Sequence, residues 1–426
     1  MPLSSTSCAS AREILLESLN HRQPAKMPVD FGSTVATGMH VTCVAALRDH
    51  FGLEKRPAKV HEPYQMLGLI EDDLQQAIGV ETEGLFGRVT TFGFRNENWK
   101  PLRFQGIEVL VPGMFNVTVD SNGDWLMYPE GDVTAPASGR MPKDGFFFDT
   151  ITRQNHFDEN RLDPRDNCEE FKLFSDAAVA EIAADARAAR ATGRAVVTWV
   201  GAPSFGGLTH VGAPALKDPR GIRDVTEWYV STSSRKDYIH AIFRTQLEIE
   251  LQNLEKIRAA AGDLIDIYML CGTDFGTQNS TFCSLATFRD LWLPYYKEVC
   301  GWIHKNTSWK CFKHSCGSVV KFIDSFIEAG FDILNPVQCS AAGMDPGQLK
   351  ERFGDRIVFW GGGVDTQETL PFASPAEVHE QVLRRCEIFA RGGGFVFATV
   401  HNVQAGTPVE NIVAMIDAVH EFNGTR

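Results

Sequence analysis

Hydrophobic and polar positions follow two different periods along this chain, and the change between them divides it. From Glu169 onward, short continuous apolar runs alternate with longer stretches whose apolar residues recur at helical spacing. The runs are Ala195–Val200 (AVVTWV), Leu264–Leu270 (LIDIYML), Trp309–Lys313, Asp332–Pro336, Arg356–Trp360 and Phe395–Thr399. The stretches Phe171–Ala191, Lys236–Ala261, Leu285–Lys305, Ser318–Ala329, Pro346–Phe353, Ser374–Ala390 and Pro408–Phe422 predict helices. Strands that are apolar on both faces, set between amphipathic helices, belong in a parallel sheet covered on both sides.

The N-terminal third has another rhythm. Ser10–Leu19 predicts a helix, and Met27–Gly32 (MPVDFG) a short strand. Met39–His50 and Pro63–Ala77 predict amphipathic helices. Between about residues 84 and 153, Gly, Asn, Asp and Pro punctuate short β-branched or aromatic runs such as Arg88–Phe94, Glu108–Val111 and Thr118–Asp120. That is the pattern of hairpins. No linker flanks them, so they read as an insertion within one domain spanning residues 1–426. No G-x-G-x-x-G follows the first strand, so the fingerprint of an open dinucleotide-binding sheet is missing. The expectation is an α/β fold: a (β/α)8 TIM barrel with an N-terminal β-rich insertion.

In such a barrel, chemistry gathers at the C-terminal ends of the strands. Asp274, Gln278, His314, Cys316, Asn335, Gln338, Asp365 and His401 all fall there. His314 and Cys316 are the sharpest pair. Residues i and i+2 of a strand point to the same side, so an imidazole and a thiolate can face one point, as zinc requires. A third ligand must come from another strand, and His401, Asp274 and Cys339 are the candidates. A core histidine beside an unrelated buried cysteine is the plainer alternative. The glycine runs Gly361–Gly363 and Gly392–Gly394 lack the context of a phosphate loop and read as tight turns. The aromatics Phe86, Phe92, Phe94, Phe146–Phe148, Trp199 and Phe205 suit either a core or an apolar pocket wall.

Composition narrows the partners. The 426 residues carry a formal net charge of −13 and no long Lys/Arg run, which argues against nucleic acid and anionic membrane as partners. Met1 to Arg12 lacks a basic segment followed by an apolar one, and the apolar runs are too short to span a bilayer. A cytoplasmic location is expected. The cysteines run from Cys8 to Cys386 without the spacing of a disulfide framework.

Five segments together carry a family resemblance. They are Asp274–Gln278 (DFGTQ) with Pro294-Tyr295-Tyr296 after it, His314–Ser318 (HSCGS), Asp332–Cys339 (DILNPVQC), Trp360–Thr366 (WGGGVDT) and His401–Asn411 (HNVQAGTPVEN). From about residue 170 to the end, and more weakly over Arg12–Gly32, the chain resembles the uroporphyrinogen decarboxylase superfamily. The resemblance implies a (β/α)8 barrel with its cleft at the C-terminal strand ends. The superfamily's decarboxylases carry an Arg-rich segment after the first strand; here Pro28–His40 (PVDFGSTVATGMH) contains no Arg. Its methyltransferases hold zinc with His-x-Cys and a distant Cys. His314 and Cys316 match the first two positions, and His401 falls at the third. The decarboxylases have a His there without any metal, so His401 is open to either role, metal ligand or substrate contact.

The resemblance therefore implies a zinc-dependent methyltransferase of the corrinoid-dependent branch. It would move a methyl group between a small methylated substrate, such as a methyl ether, or a thiol, and a corrinoid (cobalamin) on a separate protein. The metal ligands would be His314, Cys316 and His401, with Asp274, Gln338 and His401 acting on substrate. No D-x-H-x-x-G corrinoid-binding motif occurs in the chain, so a corrinoid-binding protein is the expected partner. A homodimer is compatible with the sequence. The rival readings are a metal-free decarboxylase or lyase using His401 and Asp274 as acid and base, and a non-catalytic ligand-binding barrel.

Overall fold

The computed structural model describes residues 9–425; Cys8 and the rest of the stretch before Ala9 lie outside the described residues. Its centre is a sheet of seven parallel strands. In chain order these are β1 (Thr82–Leu85), β2 (Ala195–Thr198), β3 (Ile267–Cys271), β4 (Lys310–His314), β5 (Ile333–Asn335), β6 (Val358–Trp360) and β7 (Phe395–Val396). Each strand pairs with the next. A helix returns the chain between most neighbours; Lys236–Ala261 does so between β2 and β3, and Pro375–Phe389 between β6 and β7.

The period-two alternation of side chains divides the apolar strands between two cores. Ala195, Val197, Ile267, Met269, Phe312, Ile333, Val358, Trp360 and Val396 point into the curl of the sheet. Val196, Tyr268, Leu270, Cys311, Leu334, Phe359 and Phe395 pack outward beneath the helices. Helix Ala11–Leu19 contributes Leu15 and Leu19 to the inner core. It is started by a capping box between Ser10 and Glu13. Arg12 binds the buried Asp266 carboxylate at 2.9 Å, and Ser18 donates to the Phe395 carbonyl at 2.6 Å. These contacts seat the helix at the N-terminal end of the strands, leaving the opposite end for chemistry.

The sheet is an open, curled half-barrel, one strand short of the expected eight. Met27–Gly32 lies in the gap, with a β-bridge from Val29 to Phe397 and a backbone hydrogen bond to the other side. The Asp30 N–H donates to the Phe397 carbonyl at 2.8 Å, and the Glu81 N–H to the Val29 carbonyl at 2.9 Å. The buried Asp30 carboxylate accepts from Thr82 Oγ1 at 2.7 Å and Trp360 Nε1 at 2.9 Å, touching both sides of the gap.

Two separate four-stranded sheets make up the β-rich regions. One joins Leu67–Gly68, Ala58–Glu62, Ile107–Val111 and Lys100–Phe104; the other runs Val117–Val119, Trp125–Met127, Gly139–Met141 and Asp149–Thr150. The helix expected over Pro63–Ala77 is corrected here: only Asp72–Ile78 is helical. The Glu62 carboxylate accepts the N–H groups of Tyr64 and Gln65, and Met66 takes a φ of 55°, so the chain turns back before the helix begins. The helix expected over Leu285–Lys305 is two helices, Leu285–Leu291 and Leu293–Asn306. Pro294 explains the division, because proline is tolerated in a first turn and not in a helix interior. No helix among the described residues is long and apolar enough to cross a membrane.

Candidate metal centre and cavity

β4 ends at His314, and in register beside it β5 ends at Asn335. Asn335 Nδ2 donates to the Trp360 carbonyl at 3.0 Å, which turns its amide oxygen toward His314. His314 Nδ1–H donates to that oxygen at 2.6 Å. The network thereby assigns the tautomer and leaves the Nε2 lone pair free for a ligand role. Nε2 lies 3.4 Å from Cys316 Sγ and 3.9 Å from Asp274 Oδ1.

His401 comes from the loop after β7. Its carbonyl accepts the Thr399 hydroxyl, and its ring lies 5.6 Å from the His314 ring. No hydrogen bond to the His401 ring occurs among the described residues. Burial, then the neighbouring His314, pushes its pKa down to about 4, so the ring is neutral at ordinary pH. Donor atoms of His314, Cys316 and His401 all lie within 4.8 Å of one another. Two imidazoles and a thiol form a donor set that suits zinc. Burial and the adjacent Asp274 carboxylate drive the Cys316 thiol well above its ordinary range, so without a cation it keeps its proton. A bound cation reverses that balance.

Two loops hold Cys316 in place. Asp274 Oδ1 accepts the Cys316 N–H at 2.7 Å, Ser315 Oγ accepts the Phe275 N–H at 2.9 Å, and the Thr277 carbonyl accepts the Ser318 N–H at 2.8 Å. The approach is so close that a Cβ on Gly317, whose φ is +83°, would sit 2.4 Å from the Gly276 backbone. Gly317→Ala is expected to cost about 1–3 kcal/mol of stability and to lower zinc retention. Urea unfolding with elemental analysis of the folded fraction checks both.

The eight strand-end residues of the sequence analysis divide in three. Asp274, His314, Cys316 and His401 come together. Asn335, Gln338 and Gln278 stand behind them: Gln338 Oε1 accepts the Gly317 N–H at 2.8 Å, and Gln338 Nε2 donates to Gln278 Oε1 at 2.8 Å. Gln338 is not among the residues lining the cavity below. Asp365 is apart, capping the turn at Gln367 and Glu368. The thiol of Cys339 donates to the Val337 carbonyl at 3.4 Å and is outside the cluster.

A cavity of about 480 Å³ opens beside the metal-ligand group, with Asp274, His314, His401, Trp199, Tyr64 and Glu62 in its wall. Phe147 lines it too, whereas Phe92, Phe94 and Phe205 are packed in the core. Glu62 and His210 were not singled out from sequence. The signal for Glu62 was faint: an acid closing a short run, Ala58–Glu62 (AKVHE), just before the helix expected over Pro63–Ala77.

A second His/Cys/Asp group, His304, Cys311 and Asp332, lies at the other end of the strands. There His304 Nε2 pairs with Asp332 at 2.8 Å, and Lys310 approaches the same carboxylate at 3.4 Å. Asp332 raises His304 to about 10. His304, Asp332 and Lys310 form an ion-pair network here.

Comparison with known proteins bears on the same strand ends. Residues 220–422 match the family model described as Uroporphyrinogen decarboxylase (URO-D), starting later than the resemblance over about 170 onward. The chain is 30% identical over 103 residues to a uroporphyrinogen decarboxylase of Methylococcus capsulatus, covering 24% of this chain and 27% of that protein. It is 33% identical over 89 residues to one of Alkalilimnicola ehrlichii, covering 20% of this chain and 24% of that protein. These matches span only about a quarter of the relatives' own length. A solved methyltransferase from Methanosarcina mazei is similar in fold, with a TM-score of 0.53 and 14% identity, covering 97% of this chain and 99% of that one. Residues 220–422, then, are similar to the uroporphyrinogen decarboxylase (URO-D) family over somewhat less than half of the chain.

Proposed function

We propose that this protein is a zinc-dependent methyltransferase that works with a corrinoid held on a separate protein. The observation that carries the reading is the convergence of His314, Cys316 and His401 at the edge of a cavity, with the His314 tautomer fixed by Asn335. Those three residues would hold zinc. When bound, zinc supplies Lewis-acid stabilisation of a departing oxygen, or lowers the pKa of a substrate thiol.

The chain's own residues do the rest. Asn335 orients the His314 ring, and Asp274 fixes the Cys316 backbone while lining the cavity. Trp199, Tyr64 and Phe147 supply aromatic wall suited to a small organic substrate. Phe147 and Asp149 reach the cavity from the β-rich region, so that region helps define its mouth. We read Met27–Gly32 as the eighth strand of a closed barrel, since its backbone hydrogen bonds reach both sides of the gap.

The competing reading is metal-free decarboxylation of the kind named for the curated relatives. A polycarboxylate substrate needs fixed cations, and no Lys or Arg is among the described residues that line this cavity. One experiment separates the two. The zinc-loaded chain, mixed with methyl ethers and thiols of graded size and a reduced or methylated cobalamin, should produce or consume methylcobalamin, followed by its absorbance. Activity that is confined to decarboxylation and survives chelation would overturn the proposal.

The site also sets a pH dependence. His401 is neutral above about 4 and His314 is shifted in the same direction, so neither imidazole must lose a proton to bind metal at neutral pH. Cys316 must, because its thiol is raised. Zinc affinity is therefore expected to climb with pH, by up to about tenfold per unit across roughly pH 6 to 8. Competition against a chromophoric chelator measures it; a flat profile would contradict release of a thiol proton.

A further inference from the structure

Glu62 lies where two chambers meet. It lines the 480 Å³ cavity and a neighbouring one of about 330 Å³, and both also include Trp199 and His210. The residue is 7% exposed. Its carboxylate accepts the Tyr64 N–H at 3.1 Å, the Gln65 N–H at 2.7 Å and the Thr91 hydroxyl at 3.3 Å. It forms no ion pair among the described residues. A buried carboxylate without a counter-charge is costly, and hydrogen bonds offset only part of that cost. Burial accordingly pushes its pKa upward.

In the larger cavity the charged side chains that accompany Glu62 are acidic. Asp149 and Asp274 line the same cavity, which has no Lys or Arg among its described lining residues. Arg88 and Arg95 border the neighbouring chamber but are occupied, Arg88 by Asp185 at 2.6 Å and Arg95 by Glu181 at 2.8 Å. His61 and His210 are shifted toward the neutral form by burial and add no positive charge. Aromatic rings complete the surroundings. Phe86 packs edge-on against Trp199 at 5.2 Å, and Tyr64 and Phe147 stand in the wall of the larger cavity. A carboxylate that shares a cavity wall with aromatic rings is the chemistry that holds a methylated ammonium group.

We propose that the ligand of this cavity is a small organic cation with a methylated ammonium head, held at the Glu62 carboxylate beside the Phe86–Trp199 rings. The proposal rests on reading the cavity as the site for a small methylated substrate, and it narrows that substrate from any methylated compound to a cation. Around Glu62 itself, anionic compounds face carboxylates and, among the described lining residues, no Lys or Arg without an acidic partner.

Calorimetric titration of the full chain tests it with three probes of one shape: choline, its neutral isostere 3,3-dimethylbutan-1-ol, and the anion 3,3-dimethylbutanoate. Choline is expected to bind at least about tenfold more tightly than the neutral alcohol, with the anion weakest. Glu62→Gln keeps one of the two oxygens, which accept separately from the Tyr64 and Gln65 N–H groups, and should bring choline down to the level of the alcohol. Equal or weaker binding of choline by the wild type, or no binding of either compound, overturns the proposal. So does a charge preference that persists in Glu62→Gln. Should that variant fail to fold, the wild-type comparison decides alone. The outcome is separable from the metal reading: a chain that prefers choline yet never holds zinc would retain the cation site and lose the methyltransferase assignment.

Discussion

Cys316→Ser is expected to empty the zinc site and reduce methyl transfer by more than about 100-fold. Second-shell partners of a metal already account for about 10- to 100-fold in affinity or activity, and removing a direct ligand costs more. The serine hydroxyl is nearly the same size, so the close approach of the 274–278 and 314–318 loops is undisturbed and the chain should fold. It fails because a hydroxyl does not ionise at neutral pH as a metal-bound thiol does. Cys339→Ser is the matched control. Its thiol donates to the Val337 carbonyl outside the cluster, so it should keep zinc and turnover. Equal zinc retention by both variants would remove Cys316 from the site.

Asn335→Leu carries the second large effect. Leucine has a similar volume but neither accepts from His314 Nδ1–H nor donates to the Trp360 carbonyl. Two buried polar groups then lose their partners, each at about 1–3 kcal/mol, and the His314 ring is free to change tautomer. Zinc affinity should fall by about 10- to 100-fold while the ligand set stays whole. Asn335→Asp restores an acceptor for His314 and should recover part of the affinity. If the leucine variant binds zinc as tightly as wild type, Asn335 has no orienting role.

How much of this was readable in the sequence depended on whether the signal was local. The apolar runs that became β2 to β7 were legible because each is continuous and bounded by helices of period 3.6. β1, Thr82–Leu85, was not. It is short, it contains Gly84, and its partner β2 lies beyond the whole β-rich region. The expected helix over Pro63–Ala77 failed because a side chain, Glu62, turns the chain at the following residues, which hydrophobic spacing does not report. His314 and Cys316 were legible as neighbours on one strand end. His401 required knowing that β7 curls round toward β4. Gln338 was expected at the substrate; its amide oxygen accepts the Gly317 N–H, a contact that spacing along a strand does not report. Glu62 went unnoticed because its importance lies in what surrounds it: two cavities and several aromatic rings.

Metal content tests the central claim most directly. The wild-type chain, purified without chelators and assayed by elemental analysis, is predicted to hold about one zinc per molecule. Alanine at His304, in the ion-pair network at the far end of the strands, should leave that stoichiometry unchanged, and Cys316→Ser should abolish it. A folded wild-type chain that holds no metal, and takes up none on dialysis against zinc, would contradict the account and leave His401 to be tested as an acid–base residue.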